Sequence, residues 1–357
     1  MVYRLAWNIR SAGTGTNRFM KSIYWDNHYF TSDFKKHFDP DWIDTNDLNY
    51  FLSIDSDYKL AMIGKYSHGF EFDILIEKLI TVCDKIVVFD SELHDKHVEP
   101  IIKYRDSKIT WVIPGYVYGI ENTIFNNQWL RGQIEMYSQP QIYSDLAELN
   151  PYTVKPYYFD ALLGAGKPHK DYVADQIQAN NLSDKILLRH GYKDFIFPQT
   201  ITEGHGASLT NYKGWGCLLS TIVPLDIYNQ TAFSIVGETE WTNSHFFLTE
   251  KTAKCLMAHR MFVMFSGQYW LRTFRELGFK TFDCVIDESY DSIEDSQLRW
   301  KMAFDQVIYL CRTDQKLILE KIKPIVEYNY DLLWSTDWRK ILDQQVLASI
   351  GCAVQKE

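Results

Sequence analysis

Between Thr249 and Gly278 the pattern of apolar and polar positions changes period twice. Behind Thr249, a hydroxyl residue suited to cap a first turn, Ala253, Leu256 and Met257 recur at helical spacing and predict a helix from Glu250 to near His259. The next five residues, Met261 to Phe265, are a continuous apolar run, which suits a strand covered on both faces. Gly267 ends that run. Leu271, Phe274 and Leu277 then space a second amphipathic helix, and Gly278 stops it because glycine takes the left-handed conformation that closes many helices.

The same alternation recurs along the chain. Tyr3 to Ile9, Leu60 to Ile63, Lys85 to Phe89 and Ile109 to Ile113 predict strands, and Leu75, Leu79 and Val82 share one face of a helix between the second and third. From Tyr24 to Asn49 there is no clear period, so that stretch reads as loop and short helix. Gln139 to Pro156, rich in Pro, Tyr and Asn, reads as a passage between domains. Beyond it, Tyr157 to Leu163, Lys185 to Leu188 and Phe233 to Gly237 predict strands, with Ala174, Ile177 and Leu182 on one helix. Gln315 to Lys323, stopped by Pro324, and Asp331 to Ile350 predict closing helices. The expectation is an α/β protein with an N-terminal domain over 1–150 and a second domain over 157–325, followed by C-terminal helices over 326–357.

Composition narrows the class. With 357 residues, 46% hydrophobic and 23% charged, the chain suits two globular domains rather than disorder. Six scattered cysteines form no C-x-x-C pair, so neither zinc nor a disulfide framework is indicated. The start MVYRLAWNIRSAG lacks a signal-peptide core and no run is long enough to span a membrane, so a cytoplasmic location is expected. A net charge of −9 disfavours a surface that coats nucleic acid as a whole.

In open α/β sheets, ligands sit beyond the carboxyl ends of strands, where helix N-termini present free amides and partial positive charge. Thr249, Glu250, Lys251 and Thr252 form such a first turn and can hold a phosphate, with Glu250 turned aside to accept the ribose hydroxyls of a nucleotide. The competing reading is a solvated helix start. Gly164 to Lys170, with Gly166, Lys167, His169 and Lys170 between a strand and a helix, is a second candidate diphosphate cradle or a plain turn. As a dinucleotide fingerprint it fails, since His169 stands where the third glycine belongs. Arg189 after the next strand keeps an NADP-dependent oxidoreductase as a rival.

Asp90, Glu92 and His94 follow a strand directly, so one of them can act as general base; alternatively Asp90 caps a turn and the others face water. Gly204 to Gly216, with His205, Lys213 and Trp215, can close over a ligand or form a hairpin turn. The loop carrying Arg10, Gly13, Gly15 and Arg18 holds no acid and can wrap a phosphate or be a simple turn. Asp55-Ser56-Asp57 is a D-x-D pair. It precedes an apolar strand rather than ending one, so it reads as a turn or cap, and no metal is expected.

The ordered series TEKT (249–252), an apolar strand with Ser266-Gly267, FRELGFKTF (274–282) and IDESYD (286–291) resembles the donor domain of GT-B glycosyltransferases, in their fucosyltransferase-like and exostosin-like branches. The resemblance implies two Rossmann-like domains with a cleft between them and a C-terminal helix crossing back to the first. It implies an enzyme that transfers a sugar from a nucleotide-diphosphate donor without metal or other cofactor. Glu250 would hold the ribose, Lys251 would neutralise the diphosphate, and Glu238 would line the sugar pocket. His259-Arg260 stands where similar proteins often have Gly-Pro. The expected acceptor is a carbohydrate hydroxyl or, as a minority reading built on Arg10 and Arg18, a hydroxymethylated base in DNA. A binding protein that has lost catalysis on the same scaffold is the rival from another class.

Overall fold

The computed structural model describes residues 20–26, 34–35, 38, 41–65, 71–105, 108–164, 166–191 and 209–351. The expected strand Tyr3 to Ile9, the loop with Arg10, Gly13, Gly15 and Arg18, and His205 lie outside the described residues. The chain divides into two compact units, residues 1–127 with 338–357 and residues 128–337.

The first unit holds a six-stranded parallel sheet. Its strands are β1 (Lys21–Trp25), β2 (Ile43–Thr45), β3 (Tyr58–Gly64), β4 (Lys85–Phe89), β5 (Ile109–Ile113) and β6 (Thr123–Phe125), in the spatial order β2-β1-β3-β4-β5-β6. Leu60 to Ile63 are all fully buried, as expected of a strand covered on both faces. One layer of the core joins Ile23, Trp25, Leu60, Met62, Val87, Phe89 and Val112 to Leu342, Val346 and Leu347 of the helix Trp338–Ser349 and to Ile350 just after it. The chain's end is therefore part of this unit's core.

Two expectations for this unit need correction. The stretch 24–49 is not loop and short helix alone, because it carries the end of β1, all of β2, and the start of α1 (Leu48–Ser53), capped by the Asp47 carboxylate on the Tyr50 amide. Neither strand alternates visibly, since β1 is buried along four of its five positions and β2 is three residues long. Along α2 (Phe72–Val82) the buried stripe is Phe72, Leu75, Ile76 and Leu79, while Val82 ends the helix 37% exposed; α3 (Asp95–Lys103) follows β4.

The second unit is built on a four-stranded parallel sheet of β7 (Tyr157–Leu163), β8 (Ile186–His190), β11 (Thr231–Gly237) and β12 (Phe262–Phe265), ordered β12-β11-β7-β8. Between β8 and β11 the chain makes a hairpin, β9 (Leu209–Tyr212) and β10 (Trp215–Leu218). Lys213 and Gly214 both have positive φ there and form its turn. Its helices begin with α4 (Gln128–Tyr137) and α5 (Pro140–Leu146), so the expected passage at 139–156 contains a helix that Pro140 opens. They continue with α6 (Pro168–Ala179), α7 (Leu225–Tyr228), α8 (Glu250–Met257), α9 (Trp270–Glu276), α10 (Ser296–Cys311) and α11 (Gln315–Ser335). Leu182 falls after α6, beyond Asn181 in the left-handed region. Pro324 does not stop α11. Both Pro324 and Glu320, whose carbonyl loses its partner, lie on the exposed face, so water can replace that bond while Ile318, Leu319, Ile322 and Val326 stay buried. Among the described residues, no helix is long and apolar enough to cross a membrane.

Candidate functional site

The second sheet has one place where the chain changes direction. From β7 it passes through α6 to β8 on one side, and β11 on the other side of β7 leads on to β12. The carboxyl ends of β7 and β11 are thus the topological switch point, where adjacent loops part and leave room for a ligand. Two helices start there, α6 with Pro168 in its first turn and α8 behind the Thr249 cap, whose hydroxyl oxygen accepts from the Lys251 amide at 3.4 Å. Four lysines and three glutamates meet around them: Lys167, Lys170, Lys251, Lys254, Glu238, Glu240 and Glu250.

Glu238 ends β11 fully buried. Its carboxylate accepts from the hydroxyls of Thr249 and Thr252, at 2.6 and 2.7 Å, and from the amides of Thr239 and Thr249, at 3.0 and 3.2 Å. Four hydrogen bonds fill it, so the expectation that Glu238 lines a sugar pocket is corrected: it ties the strand end to the start of α8. Thr249 and Thr252 spend their hydroxyl protons on the same tie and are not phosphate donors through those groups. His169 is corrected likewise. It is fully buried, its Nε2–H donates to the Glu238 carbonyl at 2.8 Å, and its ring stacks on Trp241 with centroids 5.4 Å apart. Burial, with help from the Lys170 charge, lowers it to about 3, so it is neutral and offers no charge to an anion.

Three of the four lysines, Lys167, Lys170 and Lys251, stand at the starts of α6 and α8. Lys251 Nζ is partly exposed and reaches Glu250 Oε1 at 2.8 Å and the Thr239 hydroxyl at 2.9 Å. Lys167 Nζ reaches Glu240 Oε1 at 2.9 Å and lies 5.3 Å from the centre of the Trp241 ring. Lys170 is 3% exposed. Glu250 is 6% exposed; burial pushes its carboxyl up, but Lys251 and Lys254 outweigh that and hold it below the usual range. Gly166 has no steric need to be glycine, because a Cβ there would meet only Asp171 at ordinary contact, 3.5 Å. Arg189, the possible NADP contact, folds back onto the Leu188 carbonyl at 3.1 Å.

The polar groups after β4 arrange themselves differently. Asp90 is buried, accepts from His97 Nδ1–H at 2.9 Å, lies 3.3 Å from Lys65 Nζ and closes a turn onto the Glu92 amide at 3.1 Å. It reads as the anchor of this loop, while Glu92 and His94 pair at 3.2 Å on its partly exposed side. His97 is the member that sequence reasoning missed; it lies in the first turn of the helix Asp95–Lys103, which His94 precedes in extended conformation.

Other motif residues build structure. Asp57 accepts from the Met20 amide at 2.7 Å, fitting a cap before β3. Arg260 is buried against Asp160 at 2.7 Å and donates to the carbonyls of Tyr228, Thr231 and Phe233. Asp291 accepts from the Leu271 and Arg272 amides at the start of α9, and Glu288 from the Phe282 amide and the Thr281 hydroxyl. Among the described residues no cluster of three or more His, Cys, Asp or Glu is placed to hold a metal.

No family model matches the chain, and no curated protein sequence matches it. Among solved structures, the crystal structure of an alpha1,3-fucosyltransferase is similar over 95% of this chain and 91% of that one, at 10% sequence identity and a TM-score of 0.41.

Proposed function

We propose that the second unit binds the diphosphate of a nucleotide sugar at its switch point and that the protein transfers the sugar to a hydroxyl of a carbohydrate acceptor. One observation carries the reading: Lys167, Lys170 and Lys251 gather at the N-termini of α6 and α8, beyond the carboxyl ends of two adjacent parallel strands. A leaving nucleoside diphosphate gains negative charge in the transition state, and ammonium groups and amide dipoles held in place stabilise that charge without a cation from solution. Glu250, beside Lys251, is the acceptor for ribose hydroxyls. The acceptor hydroxyl needs a base, and Glu92 and His94 carry the accessible groups of the Asp90 loop.

The test begins with a thermal-shift screen of UDP-, GDP-, CMP- and ADP-sugars, since a ligand at a hundred times its Kd adds about 2.7 kcal/mol. Lys251→Ala removes a charge-assisted contact worth about 1.5–3 kcal/mol, so calorimetry should show the chosen donor binding on the order of tenfold to a hundredfold more weakly. Unchanged affinity refutes the site. Glu250→Gln should weaken nucleosides and nucleotides alike, and transfer of labelled sugar should persist in EDTA. Tight donor binding with neither transfer nor hydrolysis would make the protein a nucleotide-sugar binder instead.

A further inference from the structure

Of the three lysines at the two helix starts, Lys170 is the one that forms no ion pair with a described residue. Lys167 is matched to Glu240 and Lys251 to Glu250, whereas Lys170 Nζ makes no hydrogen bond to any described residue. Its stem runs beneath the end of β11, where a Cβ on Gly237 would lie 3.0 Å from Lys170 Cγ and 3.4 Å from Cε. Glycine at 237 is what lets the lysine pack there. The titratable groups acting on it are Lys167 and His169 at the start of its own helix, Glu238 after β11, and Glu250 and Lys251 from α8. Glu238 is filled by four neutral donors and His169 is neutral, so no carboxylate is bonded to the Lys170 ammonium.

We infer that Lys170 is a ligand-linked proton acceptor: binding of a phosphate anion at the switch point draws a proton from solvent onto its amine, so that anion binding and proton uptake are one event. This rests on the reading of that point as the diphosphate site and adds its regulation by pH. An ammonium on a side chain only 3% exposed, with like charges beside it and no carboxylate bonded to it, is costly, so the empty site favours the neutral amine. An entering phosphate supplies the missing acceptor oxygens and opposite charge and reverses that preference. Burial, then the charges of Lys251 and Lys167, lowers Lys170 in the empty protein to about 7, against which Glu250 and Glu238 pull only in part. Below about pH 6 the amine is already protonated and binding takes up nothing there. From about pH 7 upward, binding takes up as much as one proton.

The probe is inorganic pyrophosphate, titrated calorimetrically into the whole protein at pH 5.5 and pH 8 in buffers of different ionisation enthalpy. Because pyrophosphate exchanges protons itself, the informative quantity is the difference between wild type and Lys170→Met. At pH 8 wild type should take up up to one proton more per pyrophosphate than the variant, and at pH 5.5 the difference should vanish. A second measurement needs no variant: with lysine labelled at ¹³Cε, one resonance of the wild type should titrate near neutrality and move to higher pH on adding pyrophosphate. Binding with equal proton uptake in both proteins, or no lysine titrating near neutrality, overturns the inference and leaves the diphosphate site standing. No binding of pyrophosphate overturns both.

Discussion

Single side chains at the switch point divide into those that hold the backbone and those that keep charge available, and pH separates the two. His169 is of the first kind. Burial holds it neutral down to about 3, whereas in the unfolded chain it titrates near 6.5, so between these values the unfolded state binds a proton that the folded state refuses. Stability must therefore fall as pH drops through that window, by up to about 1.4 kcal/mol per pH unit. His169→Phe keeps the ring against Trp241 and loses this titration. Its urea midpoint should lie below that of wild type at pH 7, and the gap should narrow or reverse by pH 4.5. Midpoints that stay parallel over this range would show that His169 is solvated. The basic character of the loop was legible in the sequence, but the division of labour was not, because burial of His169 and the filling of Glu238 depend on β11 lying beside β7. Gly267 was legible only as a break. Its reason is tertiary, since a Cβ there would fall 2.0 Å from the Thr242 carbonyl oxygen.

Elements were readable in proportion to how far their apolar pattern outlasts their ends. Tyr157–Leu163 was read at its full length and α8 began where Thr249 placed it, while β1 and β2 were hidden by complete burial or brevity. Pro324 misled, because its cost depends on whether the freed carbonyl reaches water, and that is a property of the helix's neighbours. The acidic motif at 286–291 also acts at this scale. Tyr269, before α9, is in the left-handed region at φ 62° and makes no side-chain cap, so the first turn relies on Asp291, held across 20 residues of sequence at 2.8 Å from Leu271 N and 2.9 Å from Arg272 N. Asp291→Ala should cost about 0.5–2 kcal/mol, the range for a lost helix cap, and more if the amides stay buried without a partner. Asp291→Asn keeps acceptor oxygen and should recover part of it. Equal melting temperatures for wild type and Asp291→Ala would remove the cap from the account.

At the scale of the whole molecule, the two units differ in how the chain supplies them. Residues 128–337 are contiguous, but the first unit needs the chain's end, because Leu342, Val346, Leu347 and Ile350 are all 3% exposed or less in its core. At about 1.5–3 kcal/mol for each buried aliphatic side chain, these four contribute roughly 6–12 kcal/mol, as much as the net stability of a typical domain. Residues 1–127 expressed alone should accordingly lack a cooperative urea transition and near-ultraviolet circular dichroism. The remedy follows from the chain geometry. The Asn127 side-chain amide donates to the Trp338 carbonyl at 2.7 Å, so the two cut ends are neighbours and a few Gly-Ser residues suffice to join 1–127 to 338–357. That fusion should regain both signals, and Val346→Asp within it should abolish them. A cooperative transition in 1–127 alone, at the midpoint of the fusion, would show that the closing helix decorates the first unit rather than completing it.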